Sequence, residues 1–273
     1  LNEENANRFV TEVDRLVSLP DAAQLLADLV KHASSPFESN FAAGFAYRVQ
    51  AVAPGVPPST KAALYEKAAD AFSEAARDAA PSLHGLAASR AQEHAAFSLV
   101  THAGTAAEPQ ARVMLYKRAC RLLTQALTTL PDRYKKTRSH FLGWEALCRA
   151  KARAILADEQ NPPSRSAAHE ECAALFAESA EHFRDAGQPS LASVSVGWQY
   201  FSVGWSAYFS GDTTAAEEEF RRALVIFRGS GRDDLVSASS ECLAQIGMVF
   251  DPEALAERRP NEEGPRDVVI VPR

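Results

Sequence analysis

Residues 64–75 read Leu-Tyr-Glu-Lys-Ala-Ala-Asp-Ala-Phe-Ser-Glu-Ala, and residues 115–126 read Leu-Tyr-Lys-Arg-Ala-Cys-Arg-Leu-Leu-Thr-Gln-Ala. Both place a small residue, a large apolar residue and a second small residue at i, i+4 and i+7: Ala68, Phe72, Ala75 and Ala119, Leu123, Ala126. The frame returns as Cys172, Phe176, Ser179 and as Ala216, Phe220, Ala223. On a helix this spacing makes one stripe. Small side chains let a neighbouring helix approach closely, and the large one fills the gap between helices, which is the packing that stacked helical hairpins need. The reading puts Ala68, Ala119, Cys172 and Ala216 at tight helix crossings.

Upstream of each stripe a small residue precedes an aromatic one: Gly44-Phe45, Ala96-Phe97, Gly143-Trp144 and Gly204-Trp205. Over Gly197 to Ser230 the two elements fall into a named pattern. Gly204, Gly211, Ala216, Phe220 and Ala223, preceded by Tyr200, stand at the spacing of a tetratricopeptide repeat, which this stretch resembles. The resemblance implies an all-α, right-handed α-solenoid of antiparallel helix pairs, with first helices lining a concave groove that accepts a partner segment. The stripes recur 51, 53 and 44 residues apart, wider than the family's repeat of about 34. Their helices or connections must be longer, and such units also resemble the elongated repeats of soluble NSF attachment proteins.

Punctuation between the stripes supports helix after helix. Phe9, Val13, Leu16 and Val17 share a face that Pro20 ends, and Asp21 with Gln24 reads as an N-terminal cap. Further boundaries fall at Pro54 to Ser59, Pro81, Gly104 to Pro109, Pro131, Asn161 to Pro163, Gly187 to Pro189, Gly211 and Gly229 to Gly231, giving about ten helices. The segments between are rich in strong helix formers and show no sustained strand-like alternation. The expected organisation is one repeat domain over residues 1–250 and a polar, Pro-containing tail over 251–273. The tail ends in the β-prone Val268-Val269-Ile270-Val271, which packs back on its own groove, adds to a partner or is the stump of a longer chain.

Composition excludes more than it assigns. Hydrophobic residues make up 46% of the 273-residue chain, enough to line a long core. The four cysteines, Cys120, Cys148, Cys172 and Cys242, lie tens of residues apart, without zinc-site pairing, and read as reduced core thiols. No apolar run is long enough to span a bilayer, and the acidic opening is unlike a signal peptide, so a cytoplasmic protein without membrane attachment is expected. No phosphate loop, H-E-x-x-H, G-x-S-x-G or dinucleotide fingerprint occurs. His169-Glu170-Glu171-Cys172 is a poor metal set because Cys172 belongs to the core stripe, and His94 with His102 or Glu178 with His182 fall at chance helical spacings. No catalytic residue, cofactor or metal is expected, and the chain reads as non-enzymatic.

Two surfaces invite binding. Trp198, Phe201, Trp205 and Tyr208 share one helical face, which either lines the groove or is packed against a neighbour. The chain carries 35 acids against 29 Lys and Arg, net −6, yet residues 112–153 hold eleven bases and two acids. Arg118, Arg121, Lys135, Lys136, Arg138, Arg149 and Arg153 form the expected basic hairpin. Lys135, Lys136 and Arg138 oppose the dipole at a helix start, which suggests that they serve something other than local folding. Neutralisation by neighbouring repeats is the competing reading. The expected function is an adaptor or scaffold binding a protein or peptide partner. The alternatives are a module binding anions or nucleic acid through the basic hairpin, and a regulatory subunit of an enzyme complex.

Overall fold

A computed structural model describes residues 3–245. Among them are eleven helices and no strand: α1 (Glu3–Leu16), α2 (Ala22–Lys31), α3 (Pro36–Val52), α4 (Pro58–Asp78), α5 (Pro81–Thr105), α6 (Pro109–Thr129), α7 (Lys135–Ala157), α8 (Pro162–Asp185), α9 (Pro189–Ser210), α10 (Thr213–Gly229) and α11 (Asp233–Gln245). The all-α class expected from the sequence is therefore present. The C-terminal tail and its valine-rich end lie outside the described residues.

Proline does more here than stop helices. α3, α4, α5, α6, α8 and α9 each begin with one, where the missing N–H is no loss and the fixed φ suits the first turn. Ser35 caps α3 by accepting from the Glu38 amide at 3.2 Å, and Glu38 reaches back to the Ser34 amide at 2.8 Å, a close variant of the reciprocal capping box. The expected Asp21 cap is a correction. Asp21 precedes α2, but its side chain makes no capping bond, and Gln24 instead donates to Asp28 within the helix. At the other end of the chain Gly211 terminates α9 with φ +91°, a left-handed turn that only glycine adopts cheaply. Asp212 then caps α10 through the Ala215 amide at 2.9 Å.

The residues group into two units, divided within α7 between Cys148 and Arg149. In the first, α2 to α6 pack each against the next, with α1 against α2, α3 and α5; in the second, α8 to α11 do the same. Sequential packing of this kind is the arrangement of a helical array.

The stripe is the core of both units. Ala68, Phe72, Ala75, Ala119, Leu123 and Ala126 are buried in the first, and Cys172, Phe176, Ser179, Ala216, Phe220 and Ala223 in the second. The small residue upstream has a specific purpose. A methyl added at Gly44 would lie 2.6 Å from the Phe72 ring, and one at Gly204 would lie 2.6 Å from the Phe220 ring. Each glycine thus opens a slot in the first helix for the large stripe residue of the second. Phe41 and Phe45 close around Phe72 edge to face, with centroids at 5.4 and 5.1 Å. Burying one such ring contributes about 1.5–3 kcal/mol.

Candidate functional site

The buried face of α6, set by Val113, Tyr116, Ala119, Leu123 and Ala126, dictates what its other face offers. Lys117, Arg118 and Arg121 are exposed, beside Met114, which is 62% exposed. α6 contains no acidic residue, so none of these cations has the intrahelical partner found elsewhere. By contrast Arg8, Arg77, Arg221 and Arg222 each pair with a glutamate three or four residues away. Lys135 and Lys136, in the first turn of α7, are likewise exposed. No ion pair joins Lys117, Arg118, Arg121, Lys135 or Lys136 to an acid among the described residues.

Arg138, Arg149 and Arg153 have partners within the fold, and for Arg138 this corrects the expectation that local folding does not explain it. Arg138 donates to the carbonyl oxygens of Leu127 at 3.3 Å and Leu130 at 2.9 Å and to Asp132 at 2.8 Å. It thereby satisfies carbonyls at the end of α6 that have no helical donor, so local folding does explain this cation. Arg153 binds Glu171 at 2.6 Å, and Arg149 lies 3.9 Å from Glu178. Both cations thus have an acid of α8 beside them. Of the expected cations, Arg118, Arg121, Lys135 and Lys136 are exposed with no ion pair among the described residues, as is Lys117 of the same basic stretch.

The aromatic face of α9 is partly packed against its neighbours. Trp198 lies between Phe176 of α8 and Phe227 of α10, with centroids at 6.1 and 5.2 Å, and the Lys151 ammonium sits over its ring. Phe201 is buried and, with Trp205, contacts Phe220. Trp205 also stacks on His169 and Phe209, and Tyr208 packs against Trp205. Phe201 is thus buried, while Trp198, Trp205 and Tyr208 are half-buried and pack against the cluster that it forms with Phe220 and Phe227.

A buried polar cluster in the first unit escaped the sequence reading. Glu93 of α5 is fully buried, and its carboxylate accepts from Arg90 at 2.8 Å and from His140 Nε2 of α7 at 2.7 Å. The Arg90 guanidinium lies over the rings of Phe45 and Phe141. Burial alone would raise the Glu93 carboxyl, but Arg90 and His140 outweigh it and hold the group well below the usual carboxylate range. Burial pushes His94, packed against Phe72 and Phe97, down to about 4. The available signal was position. Arg90, Glu93 and His94 share a helical face with Leu86, Ala87 and Phe97, where an apolar stripe would be expected. The cluster is closed to solvent, and its chemistry is that of a paired internal charge.

Among the described residues no group of three His, Cys, Asp or Glu side chains is placed to hold a metal. His169 is stacked on aromatic rings, and burial followed by Arg165 and Arg153 pushes it down to about 4. The buried Cys172 thiol is pushed up to about 12. No helix among the described residues is long and apolar enough to cross a membrane. Comparison with known protein families, with characterised proteins and with solved structures finds no match.

Proposed function

We propose that the chain is a non-enzymatic interaction module, an adaptor or scaffold that holds an acidic segment of a partner protein against the outer face of α6 and the start of α7. One observation carries the reading: Lys117, Arg118, Arg121, Lys135 and Lys136 are exposed without an acidic partner among the described residues, in a chain whose net charge is −6. The cations of α6 repel one another, and that helix supplies nothing to offset the cost. An external anion would relieve it, and complementary charge gives such a contact its rate and specificity. The exposed Met114 supplies an apolar contact beside the charges. The resemblance to tetratricopeptide repeats agrees with peptide binding, although the surface favoured here is the charged face of α6 rather than an aromatic groove. Four cysteines spread through the chain without the density of a disulfide scaffold suit a cytoplasmic setting.

The same cations would suit a nucleic-acid backbone, which the overall acidity disfavours. A labelled oligoglutamate peptide and a labelled single-stranded oligonucleotide separate the two readings. The protein should bind the peptide with an affinity that falls as salt rises, and Lys117→Glu, Arg118→Glu and Arg121→Glu together should abolish binding while the melting temperature holds. Tighter binding of the oligonucleotide, regardless of its sequence, would transfer the site to nucleic acid. Peptide binding indifferent to the triple reversal would remove this surface from consideration.

A further inference from the structure

α6 and α7 each carry one thiol, and the fold brings together two residues that stand far apart in the sequence. Cys120 is partly exposed on α6, next to Arg121 and one turn beyond Lys117, while Cys148 on α7 is buried. The Cys120 sulfur reaches the Glu145 carbonyl oxygen at 3.7 Å. Cys148 follows Glu145 by three positions and so shares its helical face. The two thiols are within hydrogen-bonding reach of each other. Ala119 and Ala146, beside them on the two helices, are fully buried, and such small side chains let helix backbones approach closely.

We propose that Cys120 and Cys148 form a reversible dithiol and disulfide pair, oxidised by hydroperoxides, that cross-links α6 to α7. Cys120, the more accessible sulfur, reacts first. Its thiolate attacks one peroxide oxygen, the O–O bond breaks, and Cys120 becomes a sulfenic acid while the departing hydroxide takes up a proton as water. The Cys148 sulfur then attacks the Cys120 sulfur, the S–O bond breaks, and the hydroxyl leaves with the Cys148 proton as a second water. Two thiols lose two electrons in all, and hydrogen peroxide is reduced to two waters.

The surroundings assign these roles. Cys148 holds its proton well above the usual thiol range because its S–H is shared with Cys120 and because it is buried. Cys120 is the more accessible of the two thiols and so the one that a peroxide in solution meets first. Attack by the buried sulfur is the slower step. The proposal is independent of the acidic-partner reading, since it concerns the contact between α6 and α7 rather than the exposed face.

The test uses the full chain, reduced, freed of reductant and treated with hydrogen peroxide near neutral pH, then alkylated and mapped by mass spectrometry. A peptide pair linked through Cys120 and Cys148, released by dithiothreitol, is the expected product. Cys148→Ser should instead accumulate a sulfenic acid at Cys120 that dimedone captures, and in Cys120→Ser the remaining Cys148 should stay reduced. The wild-type map decides the matter even if a variant folds poorly. Cys120 ending as a sulfinic acid without a link, both thiols still open to alkylation, or a link made instead to Cys172 or Cys242 would overturn the proposal.

Discussion

His140 on α7 donates through Nε2 to Glu93 on α5 at 2.7 Å, across 47 residues of sequence and away from solvent. An ionised carboxylate only accepts, so this nitrogen carries the proton. Glu93 also neutralises Arg90, which is itself almost fully buried. Removing one member of such a set is costly because it strands the others. Glu93→Ala should therefore destabilise the first unit by about 3–5 kcal/mol in urea unfolding, while Arg90→Met combined with Glu93→Leu should recover much of the loss. A change below about 1 kcal/mol for Glu93→Ala would mean that the cluster is already solvated.

Acid should weaken the fold before the carboxylates titrate. His94 is neutral in the folded state down to about pH 4, against an ordinary value of 6.5. Between those values the unfolded chain binds the extra proton, so stability rises with pH through this window and is lost as pH falls. Over pH 7 to 5 the expected loss from His94 is about 2 kcal/mol, and His169 adds a loss of the same sign to the second unit. Urea midpoints for wild type and His94→Phe at the two pH values provide the check. The variant should be the less pH-sensitive, and equal slopes would refute the assignment.

Gly204 and Phe220 offer a steric test of the repeat frame. Alanine at position 204 would gain up to about 1 kcal/mol in helix propensity. Its methyl, however, would fall 2.6 Å from a ring that Phe201 and Trp205 hold in place. Net destabilisation of about 1–3 kcal/mol is expected. In a Phe220→Leu background the same substitution should cost far less, and a double-mutant cycle showing no coupling would contradict the slot.

Arg138 and its neighbours Lys135 and Lys136 should behave oppositely. Arg138→Ala strips the Leu127 and Leu130 carbonyls of their donor and should cost about 1.5–3 kcal/mol. Lys135→Glu with Lys136→Glu places acids in the first turn of α7, which favours the helix by about 0.3–1 kcal/mol each. A melting temperature that falls with the first change and holds or rises with the second would separate folding cations from those left for a partner. A fall with both would show that the lysines too have structural partners.

The helices and the stripe were legible in the sequence because both are local. Prolines, the glycine at 211 and apolar residues spaced at i, i+4 and i+7 act within one or two turns, so Ala68, Phe72 and Ala75 declare a buried face whatever lies opposite. Even the slot glycines could be found, since Gly44-Phe45 and Gly204-Trp205 recur at a fixed place before the stripe. What that signal lacked was the identity of the facing residue.

Pairings among polar groups were decided only by the tertiary structure. The sequence counted Arg138, Arg149 and Arg153 with Lys135 and Lys136 as one patch because it saw charge without direction. Folding turned Arg138 onto the end of α6, brought Glu171 and Glu178 of α8 to Arg153 and Arg149, and left Lys117, Arg118, Arg121, Lys135 and Lys136 outward. Glu93 with His140, and Cys120 with Cys148, met in the same way. The physical reason is range. Helix formation and face burial follow from residues a turn apart, whereas a salt bridge or a thiol contact exists only where two helices have been laid side by side, and their alignment along the axis belongs to the packed core rather than to either segment.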